Sequence, residues 1–424
     1  MTQFQVLERK MLRLAFLLIL LFFWGSFFLN YRALYQHHAK NSQYLIMEPQ
    51  QYAIQSKPSI LETKRSPSPP LPCAKVFSNL TTTSPNITSQ HDLFRMILPT
   101  LTYEGRETWL RSLNPIIINS TEYLQTNVRT ICNHGNQRIA LVTVSNGILA
   151  NIQEWCFYHL LLGVEKLFIY DDTVPDSIER SSFLSALQPF LQAGYVVLYD
   201  AHQHKHAHWG IKENNIHNHF LRYHREEYDW VGFIGTDEYV VVHTSLCLHD
   251  LLAKYTNFGG LVMQWNLRSM LGVPEHNPFQ THFEQYHCFF DDIVHHVKSF
   301  VQPKYVKEML QHHANYNRGR YAVNVQQQRV NGPFNVPVDP PSEAFAVLEL
   351  RHFFFGDWKF AFFEKACGLN AQREQYLMIR SQAVVDHALT SHCTIANDRL
   401  PPIHEHLRRI LYQEIATEIR NGTR

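Results

Sequence analysis

Two adjacent carboxylates, Asp237 and Glu238, close the stretch Trp230-Val-Gly-Phe-Ile-Gly-Thr-Asp237-Glu238-Tyr239. The apolar run before them reads as a buried strand, so both acids arrive at a strand exit. A diphosphate held there needs a hard cation, and Mn2+ or Mg2+ takes carboxylate oxygens together with phosphate oxygens. Such an ion offsets charge on a leaving nucleoside diphosphate as a glycosidic bond breaks. The competing reading is a plain turn, where acids are frequent whatever the function.

A second acid pair stands in Phe168-Ile-Tyr-Asp171-Asp172-Thr-Val-Pro-Asp176. An acid after the second strand of a parallel sheet can accept hydrogen bonds from a ribose or base. Asp172 or Asp176 can equally cap the helix that follows. His202, His204, His206 and His208 alternate. On a strand all four would face one way, but no cysteine or carboxylate completes a familiar zinc spacing, so they read as a polar loop.

These acids need a scaffold that aims strand ends at one edge, and the apolar pattern supplies it. Short, nearly continuous apolar runs at Ile139 to Val144, Leu167 to Tyr170, Tyr195 to Tyr199 and Trp230 to Ile234 read as buried parallel strands. Helical stretches separate them. One carries Ile152, Trp155, Cys156, His159 and Leu162 before Gly163; others cover about 178–193 and 211–226. This alternation predicts an α/β fold, a mostly parallel sheet with helices on both faces, whose ligands bind beyond the carboxyl ends of the strands. After Pro401-Pro402, the residues Ile403, Leu407, Ile410, Leu411 and Ile415 predict an amphipathic helix packed outside the domain.

Composition bounds the rest. The 424 residues suffice for one large α/β domain with accessory segments, and the net charge of +1 offers no case for nucleic acid. Leu14 to Leu29 carries no charge and follows Arg9, Lys10 and Arg13. It reads as a transmembrane signal anchor over 14–31, with a cytoplasmic tail at 1–13 and the remainder in the lumen. Bulky Trp24, Phe27, Phe28 and Tyr31 stand where a cleaved signal peptide would want small residues.

Residues 32–92 are polar and rich in Pro, Ser and Thr, a composition that predicts a flexible stem. An N-terminal extension follows at 93–136, then the catalytic domain at 137–395 and a C-terminal helix and tail at 396–424. Sequons at Asn79, Asn86, Asn119 and Asn421 agree with a luminal domain. The seven cysteines contain no C-x-x-C pair, and their odd number leaves at least one free or intermolecular.

From about 138 to 370 the chain resembles glycosyltransferase family 92, a set of metal-dependent transferases with a GT-A-like, Rossmann-type fold. The opening block runs Asn151-Ile-Gln-Glu154-Trp155-Cys-Phe-Tyr158-His159 to Tyr170-Asp171. Tyr228 to Tyr239 is similar to the family's metal block, Lys298-Ser299-Phe-Val-Gln-Pro303 to its Lys-Ser element, and His352-Phe353 with Phe363-Glu-Lys365-Ala-Cys-Gly368 to its closing element. The resemblance implies that Asp237 touches the metal, that His352 is a second ligand, that Asn146, Asp171 and Asp172 hold the nucleotide-sugar, and that Lys298 neutralises diphosphate charge. For His352 the alternative is a core histidine, and for Lys298 a surface lysine.

The resemblance further implies galactose transfer from UDP-galactose with inversion, to a glycan or glycoprotein acceptor, in the Golgi or another secretory membrane. Inversion needs a carboxylate base, for which Glu275, Asp291, Asp292 and Asp357 stay open. Gly235 stands where the family usually places the first metal-strand Asp. That departure motivates a second reading, a luminal protein that binds nucleotide-sugar or glycan without turnover. A His-rich metallohydrolase is the third.

Overall fold

The computed structural model describes residues 108–109, 117–128, 131–132, 137–146, 151–204, 209–268, 277, 280–286, 288–290, 296–317, 319–334, 345–353, 391–392 and 400–420. The chain divides into two units, Met1–Leu61 and Glu62–Arg424, and all of these residues belong to the second. The tail at 1–13, the span at 14–31, the stem at 32–92, and Asn79, Asn86 and Asn421 lie outside them. Among the described residues no helix is long and apolar enough to cross a membrane.

Four strands form the parallel half of the sheet: β1 (Ile139–Ser145), β2 (Lys166–Asp171), β3 (Val196–Asp200) and β4 (Trp230–Phe233). β1 lies between β4 and β2, and β3 follows β2, all in parallel. Side chains alternate between two hydrophobic cores. Ile139, Leu141, Leu167 and Ile169 enter one, and Ala140, Val142, Phe168 and Tyr170 enter the other. Burial on both faces is why these strands read as unbroken apolar runs rather than alternating ones.

Helices α1 (Thr121–Val128), α2 (Ile152–Leu161) and α3 (Ile178–Gln192) contribute Leu124, Trp155 and Phe183 to the first core. Helix α4 (Trp209–His224) covers the other face through Ile216 and Phe220. The helix α2 begins at Asn151, whose side chain accepts from the Glu154 N–H, and α3 begins at Ser177, which caps Arg180 in the same way. Neither Asp172 nor Asp176 is the cap. Gly163 and Gly194 turn the chain back into β2 and β3 with φ of 101° and 73°, which glycine adopts without a Cβ penalty.

Strand β5 (Glu238–Val242), helix α5 (Leu248–Leu252), strand β6 (Gly260–Leu267), helix α6 (His282–Gln285) and strands β7 (Phe289–Phe290) and β8 (Val297–Val301) follow in the chain. Past β4 the sheet becomes mixed: β6 keeps parallel neighbours while β8 enters antiparallel, so parallel pairing still predominates but does not run throughout. β8 lies antiparallel between β4 and β6. A short hairpin pairs β9 (Val306–Met309) with β10 (Ala314–Tyr316), and β11 (Ala322–Val323) with β12 (Arg329–Val330) completes the sheet edge. β13 (Leu348–His352) is parallel to β6 and antiparallel to β5. β14 (Ser391–His392) pairs with β7, and α7 (His404–Arg420) closes the described chain, burying Leu407 and Leu411 in the first core.

Cys132 and Cys247 form a disulfide that ties the approach to β1 to the start of α5. Cys288 is also disulfide-bonded, and Cys156 is a buried free thiol.

Candidate active site at the strand exits

The register brings Ser145, Asp171 and Asp200 level with one another at the carboxyl ends of β1, β2 and β3. Asn146 follows as an exposed residue, so the edge presents polar groups where an open α/β sheet binds ligands. Asp237 sits in the turn that joins β4 to β5, closed by the Glu238 N–H donating to the Gly235 carbonyl at 3.2 Å.

β13 delivers His352 to the same place. It pairs with Glu238 across the antiparallel ladder, and its Nε2 lies 3.3 Å from Asp237 Oδ2. Its Nδ1 lies 3.9 Å from Glu238 Oε1. The indole of Trp265, on the neighbouring β6, packs edge-on to this imidazole with ring centres 4.4 Å apart. The side chain of Asp237 is 21% exposed and that of Glu238 only 2%, so the two adjacent acids face different surroundings.

Glu238 is an internal group. The Gly235 N–H donates to its Oε2. Burial pushes its carboxyl pKa up, against the opposing pull of Lys298 and His352. Gly235 leaves a cradle at this point: a Cβ there would lie 2.5 Å from Asp237 Oδ1. The Asp237 carboxylate thus occupies space that any side chain at 235 would contest.

The backbone of β5 is held from behind by α2. Trp155 Nε1 donates to the Glu238 carbonyl at 2.9 Å and the Tyr158 hydroxyl to the Val240 carbonyl at 2.8 Å. His159 Nε2 accepts from the Val240 N–H at 3.3 Å, while its Nδ1 donates to the Trp155 carbonyl at 2.9 Å. Burial pulls the His159 pKa down to about 3, which keeps the neutral tautomer this pattern requires. The opening block therefore serves the acid-bearing strand from 80 residues away, a role its sequence did not disclose.

Lys298 is neither on the surface nor open to a ligand. Its ammonium is buried, 3.0 Å from Glu213 Oε1 of α4 and 3.0 Å from the Gln311 carbonyl. Burial alone would lower its pKa, but the Glu213, Glu238 and Asp237 carboxylates outweigh it and raise it. It supplies positive charge from beneath the site. Glu213 was missed in the sequence. The signal was present, since Lys212 and Glu213 fall on the same helical stripe as Ile216 and Phe220.

At the β2 exit, Asp171 is committed within the chain. Its Oδ1 accepts from the Thr173 N–H and hydroxyl, and its Oδ2 from Arg180 Nε at 3.1 Å. Asp172 is half-buried, with Lys212 Nζ and His202 Nδ1 on its Oδ1. The histidine run is no strand: Ala201–His204 is a short 3-10 helix. His202 turns to Asp172 and the Thr173 carbonyl, while His204 packs on Tyr170 and His219. His206 and His208 lie outside the described residues, as do the base candidates Glu275, Asp291, Asp292 and Asp357. Asn119 is exposed, as a glycan acceptor must be.

Among the described residues, no group of three or more His, Cys, Asp or Glu is placed to hold a metal. The site offers two donors, Asp237 and His352. A carboxylate beside an imidazole suits Mn2+, or Mg2+, when phosphate and water complete the shell.

Residues 146–332 match the model of the family described as Glycosyltransferase family 92. A family 92 protein of Ricinus communis is 27% identical over 119 residues, covering 27% of this chain and 19% of that protein. One of Arabidopsis thaliana is 30% identical over 115 residues, covering 25% and 18%. The match thus spans under a fifth of these relatives' length. A solved UDP-glucose pyrophosphorylase complexed with UDP-glucose aligns with 59% of this chain and 99% of its own, at 9% identity. Its TM-score of 0.23 is too low to support any conclusion.

Proposed function

We propose that the protein, whose residues 146–332 match the glycosyltransferase family 92 model, transfers a hexose, galactose from UDP-galactose, to a glycan or glycoprotein acceptor with inversion. The observation that carries the reading is the pairing of Asp237 with His352, 3.3 Å apart at the ligand edge of the sheet. Asp237 and His352 would hold Mn2+ or Mg2+, which offsets the charge of a leaving nucleoside diphosphate. Asn146 and Asp172 stand one and two strands away along that edge, where the nucleoside would extend. Lys298 acts at a distance, limiting the negative charge of Asp237 and Glu238 before any cation arrives.

The donor sugar, inversion and metal dependence rest on the family resemblance. The uncharged run Leu14 to Leu29 behind Arg9, Lys10 and Arg13 supports a single-pass type II protein of the Golgi or another secretory membrane, anchored by residues 14–31. The Cys132–Cys247 disulfide supports an oxidising compartment. One of Glu275, Asp291, Asp292 and Asp357 would take the acceptor proton.

A second reading, a binder without turnover, is favoured by Gly235, which leaves the metal strand one carboxylate short. UDP release from UDP-galactose with Mn2+ separates the two. The wild type is expected to turn over and Asp237→Ala to lose about 10³-fold, several kcal/mol of electrostatic stabilisation. Equal rates from the two proteins would remove the transferase reading. Nucleotide-sugar binding without turnover would establish the binder.

A further inference from the structure

The first turn of α4 carries a tryptophan in an unusual place. Trp209 is 46% exposed, yet it lies three and four residues before Lys212 and Glu213, both largely buried. Residues at those spacings share a helix face. Trp209 therefore falls on the stripe that carries Lys212 and Glu213, one turn nearer the helix start, and it is exposed there.

Two contacts place that turn over the ligand edge. Lys212 Nζ meets Asp172 at the β2 exit, and Glu213 meets Lys298 behind the β4–β5 turn. Val174 is 52% exposed on the loop after Asp172, and His202 fastens that loop by donating to the Thr173 carbonyl. Two exposed apolar residues, Val174 two positions after Asp172 and Trp209 three before Lys212, thus accompany the polar group of Asp172, Lys212 and His202. Apolar surface with a few convergent polar groups is how small-molecule sites are built.

The distance along the edge selects the part of the ligand. β4, β1 and β2 are consecutive neighbours, so the β2 exit lies two strand spacings, roughly 10 Å, from the Asp237 end. That is the reach of a nucleoside from its diphosphate. A charged group is poorly served here, since Asp172 already holds Lys212. A flat, neutral, hydrogen-bonding ring is well served.

We propose that Trp209 is the stacking platform for the base of the bound nucleotide, with Asp172, Lys212 and His202 supplying its polar contacts. The inference rests on the nucleotide-sugar reading above and adds the residue that holds the base. Base stacking on an aromatic ring is strong enough to show in affinity.

The test is calorimetric binding of UDP and of inorganic pyrophosphate, each with Mn2+, to the full chain. Trp209→Ala is expected to weaken UDP about 10- to 100-fold, to leave pyrophosphate unchanged, and to keep the melting temperature, since the residue is exposed. Trp209→Phe is expected to keep most of the UDP affinity. If Trp209→Ala binds UDP like the wild type, the platform is wrong while the nucleotide reading stands. Equal weakening of UDP and pyrophosphate would also overturn it, because a base contact cannot act on pyrophosphate. A wild type that binds neither probe removes this inference and the nucleotide reading together.

Discussion

The exits of β2 and of β4 each present two adjacent acids, and each splits them the same way. Asp171 and Glu238 are buried, while Asp172 and Asp237 reach the ligand edge. The partners differ. At β2 the acids meet the guanidinium of Arg180 and the ammonium of Lys212. At β4 the reaching acid meets the imidazole of His352, a metal-ligand type. Full cations balance the first pair internally and leave it no need of a metal. The second has an imidazole beside it and the Lys298 ammonium beneath it. Two similar dipeptides thus acquire different chemistry from what the fold sets against them.

The sharpest way to break this comparison is to delete one acid at each exit. Asp237→Ala should remove transfer while changing stability by less than about 1 kcal/mol, because the side chain is partly exposed. Asp171→Ala should do the reverse. Stranding Arg180 and the Thr173 donors costs about 2–3 kcal/mol, read as a lower urea midpoint at unchanged slope. If Asp171→Ala leaves the midpoint in place, the two exits are not divided as described.

Gly235 sharpens the same contrast with a smaller effect. Gly235→Ala puts a methyl where the Asp237 carboxylate lies, so Mn2+ affinity should drop about tenfold, in the range for a disturbed ligand. Gly235→Asp contests the same space but returns a carboxylate, and should recover that loss or exceed it. Identical Mn2+ affinities for the three proteins would mean that the Asp237 carboxylate does not meet the ion.

An effect spread over a pH range lies under α4, near Glu213. Burial pulls His217 from the ordinary 6.5 down to about 4. The unfolded chain then binds the extra proton between those values, so stability is complete above pH 6.5 and falls as pH drops toward 4. The loss of stability is on the order of 3 kcal/mol at its limit. His217→Gln should flatten the stability profile in that window and leave it unchanged above. An unaltered acid slope would show that His217 is not kept neutral by the fold.

Much of the parallel half was legible in the sequence. Runs such as Ile139 to Val144 are apolar on both faces, so their strand character does not depend on what they pack against. β6 and β8 were not recognised, because polar Gln264, Asn266, Lys298 and Ser299 interrupt their apolar pattern. Asp237 was found because a strand exit is a local feature. The resemblance singles out Lys298 but not its partner Glu213, which lies 85 residues earlier.

The sequence by itself determined the helix–strand alternation, the polar edge it creates and the acid pairs that edge carries, because hydrophobic period and turn chemistry act over a few residues. Only the tertiary structure decided that His352, 115 residues away, stands beside Asp237, that Lys298 turns inward, and that Asp171 is spent on Arg180. Those outcomes depend on sheet order and burial. Both set the surroundings of a charge, and no local pattern of residues encodes them.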